Sequence, residues 1–547
     1  MPLARSLVFI GFMGAGKSTA AAEVASALGV AALDSDLLLA ERLGHSVARE
    51  FELRGEASFR EQEEQVVCEL LDPAARERAR GGVDSVVIAL GGGAVLSPRV
   101  RATLAEHVVV LLDVDPELAW ERVRSEREDG GEPRPLASDP AAFRALHAER
   151  RGLYEQFADA ILPAHLPGVA VRALPALRAL AAVRDARDHA RGGGGGRLLW
   201  AAAASGEYPV LVARGLLDAS APAEVWQLGA RRSESRPFCV TDEHVAALYT
   251  PPLRAQSAPI AIAPGEAHKT LASAERVWRE LAAAGMTRAD YLVALGGGVV
   301  GDLAGFCAAS YQRGVPVVQA PTTLVAQVDS AYGGKTGVDL PEAKNYVGAY
   351  HQPDAVIVDP DALHTLPAAE LNAGWVEVLK TALIAGGELW QRIAADEPVD
   401  ERTILACARL KLAVVAEDER DGGRRQVLNL GHTVGHAIET ATAYARYRHG
   451  EAVGLGLLAA LELSGQHALR EQVRELLIAH EQPVTVAADI DLADVIAAVA
   501  HDKKRVGKQV PFVLLDRPGE ARVGCEVAAQ ELRAAVSALV SASGATR

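Results

Sequence analysis

Cysteine is scarce in this chain. Five residues, Cys68, Cys239, Cys307, Cys407 and Cys525, stand singly among 547, with no C-x-x-C spacing. That spacing argues against a cysteine zinc site and a disulfide framework, and it fits a reducing cytoplasm. Basic residues are outnumbered: 56 Lys and Arg against 71 Asp and Glu leave a formal charge of −15. A surface this acidic repels a phosphate backbone, so no nucleic-acid partner is expected, while small anions in local basic pockets stay open. Long apolar runs are missing too. None reaches the about 18 residues needed to span a bilayer, and the longest, over residues 452–461, is broken by glycines and predicts a buried helix. Leu7-Val8-Phe9-Ile10 after Arg5 has the look of a signal-peptide core, but it runs into glycines and Lys17 with no cleavage site. The expectation is a cytoplasmic protein with no membrane association.

What is present is an ordinary globular mixture, 49% hydrophobic and 23% charged, long enough for three or four folding units. Arg191 precedes five glycines, Gly192 to Gly196, which hold neither helix nor strand and predict a flexible joint. Residues 173–190 before it carry helical spacing. Apolar strands at residues 6–12, 30–33, 86–90 and 108–114 alternate with helical stretches. A second series, 209–213, 238–241, 291–295, 315–320 and 355–358, does the same. Such alternation predicts parallel sheets covered by helices, and the pattern after Pro360 turns almost wholly helical. The predicted class is α/β. A kinase-type parallel-sheet domain (1–163) and a helical, glycine-rich linker (164–196) come first. A nucleotide-binding α/β domain (197–360) and an all-helical metal-binding domain (361–547) follow.

Gly11-Phe12-Met13-Gly14-Ala15-Gly16-Lys17-Ser18-Thr19 matches the P-loop pattern, and it lies between an apolar strand and an Ala-rich helix. Its glycines let backbone N–H groups converge on phosphates, Lys17 reaches the β/γ-phosphates and Ser18 can ligate magnesium. Downstream stand Asp34 and Asp36 at a strand end, Phe59-Arg60, Gly91-Gly92-Gly93 after the third strand, Arg134-Pro135-Leu136 and Arg150-Arg151-Gly152-Leu153-Tyr154. Taken singly, each is compatible with a turn or a solvated surface.

Together and in this order these features resemble shikimate kinase over nearly the whole first domain. The resemblance implies ATP-dependent phosphorylation of the 3-hydroxyl of shikimate. It places Gly14, Ala15, Gly16, Lys17, Ser18, Thr19 and Arg134 on ATP with magnesium, Arg134 on a mobile lid, and Arg127 near the adenine. Asp36, Arg60, Gly92 and Arg150 would hold shikimate, the arginines pairing its carboxylate. Asp34 would help position magnesium, and Asp36 would orient or deprotonate the attacking hydroxyl. Gly152 stands where many relatives have proline.

In the second half, Gly296-Gly297-Gly298-Val299-Val300-Gly301-Asp302 follows a strand and contains G-x-G-x-x-G. The next strand runs into Ala320-Pro321-Thr322-Thr323, with no acidic residue for a ribose, so a dinucleotide here would bind in a non-Rossmann way. Further on come His432, His436 and His449, with Glu377 upstream. His432 and His436 at i and i+4 share a helix face, but spacing does not choose among four candidate zinc ligands. Lys269, Arg313, Lys335, Lys344-Asn345, Lys380, Lys411, Arg425 and Lys503-Lys504, many beside glycine or Asn, suggest a phosphate site in a net-acidic chain.

Pro264-Gly265-Glu266 with Lys269, the glycine loop, Thr322-Thr323, Gly333-Gly334-Lys335, Glu377 with Lys380, and Gly431-His432 with His436 and His449 resemble 3-dehydroquinate synthase. That resemblance implies zinc, or cobalt, on Glu377, His432 and His449. It implies NAD against Asp242, Glu266, Lys269, Gly298, Val299, Val300, Gly301, Asp302, Thr322, Thr323, Lys344 and Thr365. Heptulosonate phosphate would meet Arg313, Lys335, Asn345, Lys380, Lys411, Arg425, Asn429, His436 and one of Lys503 or Lys504, with Lys504 preferred. Lys335, Lys380, Lys411, Arg425 and His436 would take part in the chemistry. The implied reaction passes a hydride to NAD and back, eliminates phosphate and closes a carbocycle, with no net redox change. Val376 stands where relatives usually have Ala, and Asp421 where many have Glu.

The expected protein is a bifunctional enzyme of aromatic amino-acid biosynthesis, acting on shikimate, ATP and heptulosonate phosphate, and a homodimer through its synthase half. The alternatives are another sugar-phosphate cyclase or a metal-dependent polyol dehydrogenase in the second half, or one half serving as a non-catalytic scaffold. A dehydrogenase would accumulate NADH; a cyclase would not.

Overall fold

A computed structural model describes residues 5–80, 86–128, 137, 139–190, 195–253, 257–500 and 510–540. Arg134, Gly192 to Gly194, Lys503 and Lys504 lie outside the described residues. The chain divides into two compact units. One runs up to Trp200 and takes in Pro209–Ala213 and Ser220–Leu228; the other comprises Ala201–Tyr208, Arg214–Ala219 and the chain from Gly229 on.

The first unit is built on β1 (Leu7–Ile10), β2 (Ala31–Asp34), β3 (Val86–Ala89), β4 (Val108–Asp113), β5 (Ala160–Pro163) and β6 (Arg197–Ala203), in the order β2-β3-β1-β4-β5-β6. Every pairing among these is parallel. All four residues of β1 are buried, as a strand covered on both faces requires. The helix Lys17–Leu28 starts directly after the glycine-rich turn and ends at Gly29, whose φ of 68° suits a left-handed cap.

The main division between the units, at Trp200 and Ala201, falls close to the glycine run, and the sheet of the first unit continues a few residues past the run. β6 pairs with β5 through Ala160–Leu198 and Ile161–Leu199. The preceding helix Leu174–Ala190 buries Leu177, Ala179, Leu180 and Val183. Buried Asp159 explains the arrangement: it pairs with Arg184 before the run and with Arg197 after it, the latter at 3.0 Å. Both ends of the run are therefore tied to the first unit.

After β7 (Gly206–Val212), the second unit contains β8 (Pro237–Asp242), β9 (Ile260–Ile262), β10 (Tyr291–Gly296), β11 (Val317–Pro321), the hairpin β12 (Lys335–Leu340) and β13 (Ala343–Tyr350), and β14 (Ala355–Val358). Its sheet order is β14-β11-β10-β8-β9, all parallel. Phe238, Val240, Leu292, Val300 and Leu303 form its core.

Among the described residues from Ala368 on the chain is mostly helical, and a hairpin departs from the all-helical expectation. β15 (Phe512–Arg517) and β16 (Glu520–Cys525) form an antiparallel hairpin. Phe512 to Leu515 are buried, and Pro518-Gly519, with Gly519 at φ 94°, turns the chain back, a local signal that outweighs the helical neighbourhood. Among the described residues no helix is long and apolar enough to cross a membrane.

Candidate active sites

In the first unit, the turn after β1 is bent by Gly11, Gly14 and Gly16, all at positive φ. A Cβ on Gly14 would stand 2.6 Å from the carbonyl oxygen of Ala119, so the loop tolerates no side chain there. Lys17 Nζ donates to the carbonyls of Gly11 at 3.0 Å and Phe12 at 3.1 Å, folded over the loop whose N–H groups it accompanies. The Ser18 hydroxyl donates to Asp34 Oδ2 at 2.5 Å. Asp34 in turn caps the helix Ser35–Leu43 through the N–H of Asp36 and Leu37. One hydroxyl and one carboxylate thus meet at the mouth of the loop, a donor set suited to a magnesium–nucleotide complex.

A second cluster gathers at Gly91 to Gly93. Arg60 pairs with Glu63 at 2.6 Å and Glu56 at 3.1 Å, and its guanidinium lies over the Phe59 ring at 5.0 Å. A Cβ on Gly93 would collide with that guanidinium. Tyr154 donates its hydroxyl to Gly92 O at 2.5 Å, and Arg150 is buried on the same helix, Pro140–Phe157. Burial raises the Glu63 carboxyl, against the lowering by Arg60 and Arg150 and with a further rise from Asp36. Asp36, Arg60, Gly92 and Arg150, expected from the sequence, are therefore neighbours here. Glu63 was missed, although its place one turn after Arg60 on a helix is a legible signal. Arg127 is exposed near the end of the helix Pro116–Glu128.

In the second unit, β10 ends in Gly296 and the helix Gly298–Ser310 begins two residues later. Thr323 packs so closely over Gly297 that a Cβ there would be 2.8 Å from its methyl. This loop borders a cavity of about 1640 Å³. Of the residues expected to meet NAD, all line it except Gly301. Gly301 instead faces the sheet, its carbonyl accepting from Gln319 Nε2 at 3.1 Å.

Charges around the cavity are paired. Lys269 Nζ lies 2.8 Å from Glu266, 3.2 Å from Asp302 and 3.8 Å from Asp339. Burial would depress this ammonium, but the three carboxylates hold it above its ordinary range. Asn345 and His436 line the same cavity. Lys380 and Lys411 both reach the carboxylate of Asp329, Lys380 at 3.6 Å, and Asp329 borders the cavity. Burial lowers the Lys411 ammonium in spite of Asp329. Arg425 is buried and donates to the carbonyls of Glu419 and Gly333, Lys335 pairs with Asp421 at 2.5 Å, and Asn429 is half-buried. Lys335, Lys380, Lys411, Arg425 and Asn429 are not among the residues that line the cavity, and Arg313 is exposed in a tight turn at φ 71°.

The histidines converge. Nitrogens of His432, His436 and His449 lie within 4.8 Å of one another. Glu377 Oε1, buried and without a hydrogen bond among the described residues, stands 3.6 Å from His432 Nε2 and 3.3 Å from His449 Nε2. The other ring nitrogens are engaged: His432 Nδ1 with Leu430 O at 3.2 Å and His449 Nδ1 with Glu439 at 3.4 Å. Both Nε2 atoms are thus directed at one buried carboxylate oxygen, which suits a divalent cation. Burial favours a neutral Glu377, yet Lys380, His432 and His449 hold it well below the usual carboxylate range. Asp329 and Glu439 were missed by sequence reasoning; Glu439, three residues after His436 on one helix face, was legible.

Residues 259–373 match the family described as 3-dehydroquinate synthase N-terminal, and residues 374–505 the one described as 3-dehydroquinate synthase C-terminal. Over 358 residues the chain is 40% identical to the 3-dehydroquinate synthase of Symbiobacterium thermophilum, covering 61% of this chain and 98% of that one. The chain belongs to the 3-dehydroquinate synthase family. Residues 13–170 match the shikimate kinase family, so a kinase domain precedes the synthase and the chain is a bifunctional enzyme of the shikimate pathway. The 3-dehydroquinate synthase half is similar to the 2-epi-5-epi-valiolone synthase of Streptomyces hygroscopicus subsp. jinggangensis 5008, solved with NAD+ and Zn2+ bound. The TM-score is 0.55 and the identity 26%, over 61% of this chain and 96% of that one. A 2-deoxy-scyllo-inosose synthase solved with NAD+ and Co2+ shares the fold, with a TM-score of 0.55 and 23% identity over 63% of this chain and 100% of that one.

Proposed function

We propose that the second unit converts 3-deoxy-D-arabino-heptulosonate 7-phosphate to 3-dehydroquinate with bound NAD and zinc or cobalt, and that the first transfers the γ-phosphoryl of magnesium ATP to the 3-hydroxyl of shikimate. The observation carrying the synthase reading is the buried Glu377 oxygen faced by His432 Nε2 and by the Nε2 of His449, which borders the cavity. These three residues would hold the metal. When bound, metal and NAD would supply polarisation of the substrate hydroxyls and a reversible hydride acceptor.

The chain's own groups do the rest. Lys380, Lys411, Arg425 and Lys335 supply positive charge for the substrate's phosphate and carboxylate, with Asn345, Asn429 and Lys504 as further binding residues. Asp329 fixes the ammonium groups of Lys380 and Lys411, so that a phosphoryl oxygen meets donors already oriented. His436 holds or takes a proton at a ring nitrogen beside the substrate. Asp242, Glu266, Lys269, Thr322, Thr323, Lys344, Thr365 and the turn residues Gly298, Val299, Val300 and Asp302 would position NAD. Gly297, which leaves no room for a side chain beneath Thr323, lets the backbone approach it closely.

In the kinase, Gly14, Ala15, Gly16, Lys17, Ser18 and Thr19 would cradle ATP, with Arg134 as a further ATP-binding residue. Arg60 and Arg150 would pair with the shikimate carboxylate, and Asp36 would take or orient the hydroxyl proton near Gly92. Such a site works by positioning and charge neutralisation. A cytoplasmic homodimer joined through the synthase half completes the proposal; the five free cysteines are consistent with that compartment.

The test supplies the purified chain with heptulosonate phosphate and NAD, with and without a chelator, and follows phosphate, the carbocycle and NADH. Chelator-sensitive 3-dehydroquinate formation without net NADH is expected. A different ring would assign a sibling cyclase, and lasting NADH a dehydrogenase. ATP with a substrate panel tests the kinase, and light scattering the dimer.

A further inference from the structure

Glu439 lies on the helix His432–Ala441 and is almost wholly buried at the cavity. Its two carboxylate oxygens serve different partners. Oε2 is 3.4 Å from His449 Nδ1, and Oε1 is 3.5 Å from Lys344 Nζ. His449 is one of the candidate metal ligands, whereas Lys344 comes from β13, 95 residues away in sequence, and also lies 4.0 Å from Glu266. Lys344 is held over the Tyr444 ring at 4.6 Å. Tyr444 reaches that place because Ala443 and Tyr444 both adopt left-handed backbone, φ 49° and 57°, and the Tyr444 N–H donates to the carbonyl of Glu439 itself. Two consecutive non-glycine residues in that region store strain, which the surrounding contacts must sustain. The strained turn and the carboxylate therefore place a single ammonium between the metal end of the cavity and its dinucleotide end.

We propose that Glu439 is a positioning residue that couples metal binding to NAD binding. The proposal rests on the reading of this cavity as a metal and NAD site. A cation on His449 Nε2 makes the Nδ1–H a stronger donor, which draws Glu439 toward the histidine. Its hold on Lys344 weakens in proportion, and the ammonium becomes available to an anionic group of the dinucleotide. Metal and NAD then bind with positive cooperativity, and reciprocity requires each to tighten the other by the same factor.

The experiment measures Zn(II) affinity by chelator competition and NAD affinity by titration on the full chain, in wild type, Glu439→Gln and Glu439→Asp. In the wild type, Zn(II) is expected to tighten NAD binding about fivefold or more. In Glu439→Gln, Zn(II) affinity is expected to fall about 10- to 100-fold and the metal effect on NAD to shrink toward one, while Glu439→Asp restores part of both. A merely structural role would lower the melting temperature and leave the cooperativity factor intact, which overturns the proposal. So does a Glu439→Gln chain that keeps wild-type Zn(II) affinity and cooperativity. Failure of the underlying reading looks different: the wild type takes up no Zn(II), or His432→Ala leaves uptake unchanged, and the proposal falls with it.

Discussion

Glu377 and Lys380, one turn apart on the helix Ala368–Ala385, form an ion pair at 2.5 Å in which both side chains are almost wholly buried. Removing one member of a buried pair leaves the other uncompensated, at about 3–5 kcal/mol. Lys380→Met is therefore expected to lower the denaturant midpoint of the metal-free chain, and added Zn(II) to recover part of the loss by neutralising Glu377. A midpoint equal to wild type without metal would show that the pair contributes nothing.

Metal removal should separate the two activities. A zinc-selective chelator, or Glu377→Gln, His432→Ala or His449→Ala, is expected to abolish carbocycle formation and bound zinc while shikimate phosphorylation continues with magnesium ATP. Lys17→Ala should do the reverse, cutting phosphorylation on the order of 100-fold or more and sparing the synthase. Parallel loss of both activities in any one variant would contradict independent sites.

Gly93→Ala tests the proposed shikimate pocket through geometry alone. Its Cβ would collide with the Arg60 guanidinium, so Arg60 must move. Misplacement of a positioning group costs about 10- to 100-fold, expected in kcat/KM for shikimate with the KM for ATP unchanged. An unchanged shikimate KM would take Arg60 out of the pocket.

His107 should make the first unit acid-sensitive. Burial pushes its imidazole from 6.5 down to about 4, helped by Arg76, Arg5 and Arg184 and opposed by the bond from Nε2 to Leu71 O. The folded state keeps it neutral while the unfolded chain takes up a proton below 6.5, so this contribution is complete above pH 6.5 and is lost as pH falls toward 4. Roughly 3 kcal/mol is at stake across that window. Denaturant midpoints from pH 4 to 7 should fall more steeply in wild type than in His107→Asn; identical slopes would rule the residue out.

Much of this was legible in the residues because its cause is local. Gly14 and Gly16 need positive φ, and His432, His436 and Glu439 share a helix face by spacing alone. Other features were not legible. The glycine run marks the neighbourhood of the division between the units, but the pairing of Asp159 with Arg184 before it and Arg197 after it is a tertiary fact. Gly301 fits the dinucleotide pattern by spacing, yet Gln319 across the sheet turns it away from the cavity.

By itself the sequence determined the class of each half and most of the residues that chemistry would need, since loop geometry, strand alternation and helical spacing act over a few residues. Only the tertiary structure decided which carboxylate faces which nitrogen. Glu377, His432 and His449 come from three separate helices, and Lys344 from a hairpin. That Glu377 meets both histidines, and that His449 and Lys344 border the same cavity, depends on how helices pack against a sheet, and no local rule of spacing encodes that.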